Sequence, residues 1–444
     1  MAWSCVITSK PHGTTSLEDA RGGLRDWLVV LLLTGAMIFS FVDRFTLSLL
    51  LEPIKADLGI SDAELGLLNG VAFGLFYAAM GLPLGWLADR WSRKGTIILG
   101  VGIWTVATAA CGLASNFLQL LIARIWVGAG EAGLAPASYG LVHDRFPKRS
   151  LGRAMSVFQL GAMVGSGVAL LVAGAVYEFY VRHAGMAIPL IGGLKPWQQT
   201  FVTVAAPGLI FLALLSLMKE PRPAASAVGA AVRSGTLISA LGENAKGYAL
   251  LFFGMSGVTI TIYGMLSWIA AVLQREHHWT PGEVGQSYGL IVLVAAPLGL
   301  LVGGILNDIL TTRGRDNAPA LIAGGSALLA FPAMLAVGVA PGPIALLGLV
   351  AVLHFLLGTP IGIVPAYIQL ITAPEVRARV SAAYVLVVNI VGLGLGPTLI
   401  GAISSLSPDD PAALRIALVC VTAPFLALAA GLLLTLARRD GSSD

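Results

Sequence analysis

Long apolar runs alternate with short polar breaks along the whole chain. A helix that crosses about 30 Å of hydrocarbon needs about 20 apolar residues. Runs of that length lie near 27–50, 64–88, 95–114, 117–141, 152–177 and 200–218, and a second six lie near 247–273, 283–307, 318–339, 343–370, 378–405 and 412–437. The pattern predicts an all-α integral membrane protein with twelve transmembrane helices. The longest break opens Lys219-Glu220-Pro221-Arg222-Pro223, which stops a helix, and continues small and polar. It divides the chain into an N-terminal segment 1–26, a six-helix bundle 27–218, a central loop 219–246, a second six-helix bundle 247–437 and a tail 438–444. Two bundles around a midplane cavity is the organisation of a secondary transporter.

Composition narrows the classes further. Hydrophobic residues make up 57% of 444 and charged residues 11%, with a mean hydropathy of +0.85. Soluble domains average about 25% charged, so a cytosolic enzyme is excluded. With 27 basic against 23 acidic residues and no basic stripe, so is a nucleic-acid binder. Cys5, Cys111 and Cys420 are far apart and form neither a metal spacing nor a disulfide framework. No metal and no cofactor is expected. The 26 mostly polar residues before the first run include Glu18, Asp19 and Asp26, which argues against a cleavable signal. With both termini placed in the cytoplasm, inside segments hold 20 Lys and Arg and outside segments hold 5. That asymmetry fits the positive-inside rule, and an odd number of spans would scramble it.

A repeat ties the two halves together. The loop after span 2 contains Gly85, then Asp89 and Arg90, then Arg93 and Lys94, and the loop after span 8 contains Gly304, then Asp308, then Arg313 and Arg315. An acid at a helix N-terminus is favoured by the helix dipole. The spacing therefore predicts a cytoplasmic gate made of Gly85, Asp89, Arg90, Arg93, Lys94 and Asp308, with Asp89 capping a helix of the other half. A weaker echo pairs Pro147…Arg153 entering span 5 with Pro374…Arg379 entering span 11. Gly161, Gly165 and Gly167 in span 5 and Gly392, Gly394 and Gly396 in span 11 predict close-packed seams.

Four charged residues fall inside apolar runs: Asp43 and Arg44 in span 1, Arg124 and Glu131 in span 4. Each costs roughly 2.5–3.5 kcal/mol at the bilayer centre, so they must face one another or a wet cavity. Counting 1.5 Å per residue from Trp27 and from Phe117 puts Asp43 ~24 Å and Arg124 ~10 Å into their spans from opposite surfaces, at similar depth. Asp43 is thus expected to pair with Arg124, and Arg44 to reach Glu131 only along a slanted path. Arginine keeps its proton, whereas burial favours the neutral form of a carboxylic acid. Asp43 and Glu131 are the candidate proton carriers, and Arg44 and Arg124 the charge partners or contacts for an anionic substrate. The alternative is a fixed ion-pair network. Tyr77, Tyr263, Trp268 and Asn389 are further candidates for the cavity wall; His354 reads as packing.

The loop Gly85-x-Leu-Ala-Asp89-Arg90-x-x-Arg93-Lys94 resembles the signature of the major facilitator superfamily. Within it, Phe41-Val-Asp43-Arg44-Phe45, Arg124…Gly128-Ala-Gly130-Glu131-Ala132, Arg149-Ser150…Arg153-Ala-Met-Ser156 and Val164-Gly-Ser-Gly167 resemble the spinster family, as does Trp197. The anion:cation symporter family shares the Asp-Arg and Gly-Glu-Ala elements. The spinster resemblance implies transport of an amphipathic lipid-like anion by alternating access, with Asp43 and Glu131 as proton-responsive carboxylates; the compact loops suggest a bacterial inner membrane, and a monomer is expected. Its partners would be the substrate, protons and membrane lipids. The symporter resemblance implies small organic anions or drugs instead. A channel or receptor without coupling is the third class, against which the repeat and the buried carboxylates argue.

Overall fold

The structure, a computed structural model, describes residues 22–183, 193–220, 242–373 and 376–440. Residues 1–21, 221–241 and 441–444 of the predicted terminal and central segments lie outside the described residues, as does Pro374. Among the described residues twelve helices are long and apolar enough to cross a membrane. They are span 1 (Leu24–Leu49), span 2 (Asp62–Arg90), span 3 (Arg93–Leu113), span 4 (Phe117–Arg145), span 5 (Ser150–Arg182) and span 6 (Pro196–Leu217). Then follow span 7 (Ala245–His277), span 8 (Pro281–Thr312), span 9 (Ala318–Val337), span 10 (Pro343–Ile371), span 11 (Arg379–Ser404) and span 12 (Ala413–Arg439). Several run past the apolar stretch that predicts them. Span 4 continues to Arg145 and span 5 to Arg182, because a helix satisfies its backbone internally whether or not its last turns are apolar.

Local chemistry sets where they begin. Ser92 and Asn116 accept the first free amides of spans 3 and 4. Thr280 and Glu283 cap span 8 reciprocally, with Pro281 at its first position. Four spans are broken near the middle of the molecule, among them span 6, which re-forms at Pro207 after Ala205. Span 2 steps at Gly70, span 4 re-forms at Leu134 after Glu131, and span 11 carries a π-helical turn over Asn389–Leu395. Such irregular turns cluster at functional sites.

The first six spans pack chiefly on one another, and so do the last six. Contacts between the halves run from span 5 to span 8, span 2 to span 11 and span 1 to span 7. Glycine makes them close. A Cβ at Gly167 would lie 2.7 Å from Leu293, one at Gly285 2.4 Å from the Leu170 carbonyl, and one at Gly70 2.4 Å from the Gly394 carbonyl. Gly161 and Gly165 seat span 5 on span 1, and Gly392 and Gly396 seat span 11 on span 7.

The contacts between the halves at Gly167, Gly285 and Gly70 lie from the middle of the spans toward the face opposite the chain ends. On the face that carries the chain ends, Leu82 and Trp86 of span 2 and Leu301 and Ile305 of span 8 are exposed. The halves are joined at the face opposite the chain ends.

One consequence concerns stability. A Cβ at Gly299 would sit 2.0 Å from the Phe355 carbonyl, where span 8 lies against span 10. Backbone cannot yield as a side-chain tip can, so Gly299→Ala is expected to destabilise by about 1–3 kcal/mol, the usual cost of overpacking. A lowered thermal unfolding midpoint in detergent checks this; an unchanged midpoint contradicts it.

Candidate functional site

Spans 1 and 4 bring the four intramembrane charges together. Arg44 Nη2 lies 2.7 Å from Glu131 Oε2, with the Arg44 side chain only 6% exposed and that of Glu131 fully buried. Arg44 Nε donates to the same oxygen at 3.3 Å, and Ser40 Oγ donates to it at 2.8 Å. The guanidinium is roofed by aromatic faces: Phe73 at 4.6 Å, Phe41 at 4.7 Å and Tyr77 at 4.9 Å. In a water-poor site each such face adds cation–π attraction. Tyr263 of the other half is within electrostatic reach of the same guanidinium.

Of the two expected contacts, the slanted one between Arg44 and Glu131 forms and the one between Asp43 and Arg124 does not. Arg44, not Arg124, holds a carboxylate, and the carboxylate is Glu131, not Asp43. The depth count placed charges at backbone positions and ignored the tilt of side chains toward the helix N-terminus. Span 1 begins at the face carrying the chain ends, so Arg44 leans back toward that face. Span 4 begins at the opposite face, so Glu131, its middle residue, leans the other way. The two converge.

Asp43 faces span 3 instead. Both of its oxygens are buried without a hydrogen bond, and its electrostatic neighbours are Glu131, Thr108, Arg124 and Trp104. Arg124 donates Nη2 to the Arg44 carbonyl at 3.3 Å, while its Nε and Nη1 bond nothing. The polar atoms of Trp104 and Thr108 are likewise buried without a bond. An acid and an arginine thus share one sealed compartment with their pairing capacity unused.

Beside the Arg44 roof, the two halves enclose a cavity of about 190 Å³. Phe41, Met163, Ile262, Leu266 and Ile361 make much of its wall apolar, and Ser166, Thr259, Tyr263 and His354 add polar atoms. The Ser166 and Thr259 hydroxyls donate to carbonyls of their own helices, so Tyr263 and His354 are the lining side chains that direct polar atoms to other elements. His354 meets the Tyr288 hydroxyl at 3.1 Å. Tyr77 belongs with this group through Arg44, and Asn389 opens the π-helical turn, half-buried. Trp268 stands apart from it. Its indole is fully buried and donates to the Pro397 carbonyl at 3.0 Å, so it serves packing between spans 7 and 11. Among the described residues no cluster of His, Cys, Asp and Glu is placed to hold a metal ion.

The loop expected to latch the halves together stays within its own half here. Arg93 bonds the Gly140 carbonyl and the Asp144 carboxylate, and Lys94 donates to the carbonyls of Ser216 and Met218. Glu220 accepts from Ser92 Oγ and from the amides of Arg93 and Lys94. Arg90 lies over Trp86 at 4.9 Å. Asp89 is 70% exposed and 3.8 Å from Arg93, and Asp308 is exposed. Gly85 has its nearest neighbour, Pro136, at ordinary contact distance. Exposed on this face, Asp89 caps no helix of the other half.

The opposite face carries a network that the sequence does not announce. Arg275 of span 7 binds Glu52 at 2.7 Å and Asp62 at 2.5 and 2.6 Å. Asp62 also takes Lys55 at 2.7 Å and Ser404 at 2.6 Å, and the Ala63 amide donates to Ser405 at 2.7 Å. These bonds join spans 2, 7 and 11 across the halves. Burial, outweighing the Arg275 guanidinium, holds the Glu52 carboxyl above the usual carboxylate range. The signal available in sequence was Gly66-x3-Gly70-x3-Gly74, a small-residue repeat that lets span 2 approach span 11.

The family model described as Major Facilitator Superfamily matches residues 33–397. An MFS-type efflux pump of Mycolicibacterium smegmatis is 29% identical over 404 residues, covering 89% of this chain and 88% of that protein. A probable L-galactonate transporter of Escherichia coli is 28% identical over 300 residues, covering 64% of this chain and 62% of that protein. A crystal structure of a bacterial homologue of the human lysosomal transporter spinster, inward-facing and unoccupied, superposes with a TM-score of 0.81 at 27% identity. It matches over 94% of this chain and 98% of its own.

Proposed function

The chain belongs to the Major Facilitator Superfamily, a superfamily of transporters, and on that footing we propose that it carries an amphipathic, anionic, lipid-like substrate by proton-coupled alternating access. It is a multi-pass membrane protein, not an enzyme. In this reading both termini lie in the cytoplasm, the membrane is a bacterial inner membrane, and the face that carries the chain ends is the inward one. The observation that carries the proposal is the buried Arg44–Glu131 pair beside an apolar cavity formed by both halves. Arg44 is held ready for an anionic headgroup by Phe41, Phe73 and Tyr77. It is released to that headgroup when Glu131 gains a proton and its anionic hold is lost. Asp43 and Arg124 form the second carboxylate–arginine set, unpaired in this conformation and available to pair in another. An unpaired buried carboxyl group is far less costly as the acid than as the anion, so this conformation suits a loaded proton.

A second reading, transport of small organic anions, is favoured by the size of the cavity. About 190 Å³ is below the roughly 300–1,000 Å³ of sites for drug-sized ligands. Uptake by proteoliposomes separates the two readings. A panel of lysolipids and of small carboxylates is offered under an imposed pH gradient, and the first reading expects acceleration of the lysolipids. Acceleration confined to small carboxylates selects the second, and transport indifferent to the gradient removes proton coupling from both.

Arg44→Ala supplies a further test. It is expected to weaken binding of an anionic substrate about tenfold or more, the worth of one charge-assisted contact of about 1.5–3 kcal/mol. A neutral analogue of the same shape is expected to lose little. Equal losses, measured by competition binding in detergent, would assign Arg44 a purely structural role.

A further inference from the structure

The two oxygens of Glu131 are not equivalent. Oε2 accepts from Ser40 Oγ at 2.8 Å and from Arg44 Nη2 and Nε at 2.7 and 3.3 Å, whereas Oε1 is buried with no hydrogen bond. A carboxylate oxygen offers about two lone-pair sites, so three donors saturate Oε2. Ser40 also departs from the commonest hydroxyl bond in these helices, as buried Ser404 does where it bonds Asp62. In helices, Ser and Thr commonly donate to the carbonyl four residues back. Thr34, Thr46, Ser256, Thr261 and Thr422 do so here. Ser40, 2% exposed, directs its one proton across to span 4.

We infer that Ser40 is a positioning residue for the coupling reaction: with Arg44 it occupies Oε2 of Glu131 and so reserves Oε1 as the atom that takes the proton. The inference rests on the reading of Glu131 as a proton carrier. The charged groups that face Glu131 are Arg44 and Asp43 from span 1 and Arg124 from its own span. Tyr77 and Tyr263 address Arg44, and from span 3 Thr108 and Trp104 address Asp43. Ser40 is thus the one neutral donor bonded to the Glu131 carboxylate among the described residues. Removing it takes a donor from the charged form and leaves the ion pair in place. The anion is then less favoured and the proton binds at higher pH.

The test uses the full chain in proteoliposomes, with gradient-driven uptake measured across external pH. S40A is expected to move the half-maximal pH upward by about one unit, a tenfold change in proton affinity. S40T retains the hydroxyl and is expected to return the profile to that of the wild type. S40C keeps the volume with a much weaker donor, and serves if S40A does not fold, with the same upward move expected. A profile for S40A or S40C that superposes on the wild type, while E131Q abolishes the pH response, overturns the role of Ser40 alone. An intact pH response in E131Q overturns the underlying reading and this inference with it.

Discussion

Glu131→Gln is expected to reduce pH-gradient-driven transport by more than about 100-fold, the rate equivalent of about 2.7 kcal/mol. The amide keeps the size of the carboxylate and can still accept from Ser40 and Arg44 through its oxygen. It cannot take up or release a proton, and it offers Arg44 no charge. The switch between a held and a freed guanidinium is therefore lost, while the fold keeps most of its bonds. Breaking a buried pair by removing one partner costs about 3–5 kcal/mol, so an unchanged elution profile and a modestly lowered unfolding midpoint are the control. Asp43→Asn is expected to act in the same direction through the second set, because Asp43 is fully buried and its neighbours include Arg124. Wild-type rates in either variant would remove that residue from coupling.

The second large effect is expected at the opposite face. For the other state of the cycle to form, spans 2 and 11 must part there, and Arg275 must leave Glu52 and Asp62. Ala63 and Ser405 stand on the two sides of that seam, joined by a 2.7 Å hydrogen bond. Cysteines placed at both positions, in a chain whose Cys5, Cys111 and Cys420 are replaced, should react with a short bifunctional thiol reagent. Once bridged, transport is expected to fall to the level of empty vesicles, and a cleavable reagent should restore it on reduction. Each single-cysteine variant should retain activity. Undiminished transport in the bridged protein would mean that this face does not open. Mildly acid pH on that side, still above the ordinary range of the neighbouring Asp62 carboxylate, should favour closure. The Glu52 carboxyl lies above its ordinary range when buried against Arg275, so the closed arrangement binds a proton more readily than one with Glu52 in water. Lowering the pH stabilises the state that binds the proton more tightly.

Much of the fold was legible because hydropathy in a membrane is nearly a structural statement: a span with every backbone bond internal must be a helix. The twelve runs and the cluster of Asp43, Arg44, Arg124 and Glu131 follow from that rule and from the cost of burying charge. Pairing within the cluster did not follow. It depends on which way Arg44 and Glu131 lean from helices running in opposite directions, a matter of a few ångströms that a residue count does not carry. The motif loop is legible in its residues, yet the bonds it makes depend on conformation. Asp89, exposed, caps nothing here. Arg275, Glu52 and Asp62 escaped because they sit at span ends, where charge is ordinary. Only the fold brings them together from positions more than two hundred residues apart. Trp268 departs from the expected cavity wall for a related reason: an indole in a span serves packing as readily as a cavity wall.

Simultaneous recording of substrate and proton flux tests the central claim most directly. Proteoliposomes carrying a pH-sensitive dye are loaded with the wild-type protein or with the Asp43→Asn, Glu131→Gln double variant, and substrate is added without an imposed gradient. The account predicts that substrate movement through the wild type drags protons across the membrane in a fixed ratio. The double variant should move no protons, with any residual substrate flux reduced to passive exchange. Proton movement that persists in the double variant, or substrate movement through the wild type with no proton signal, would contradict the account.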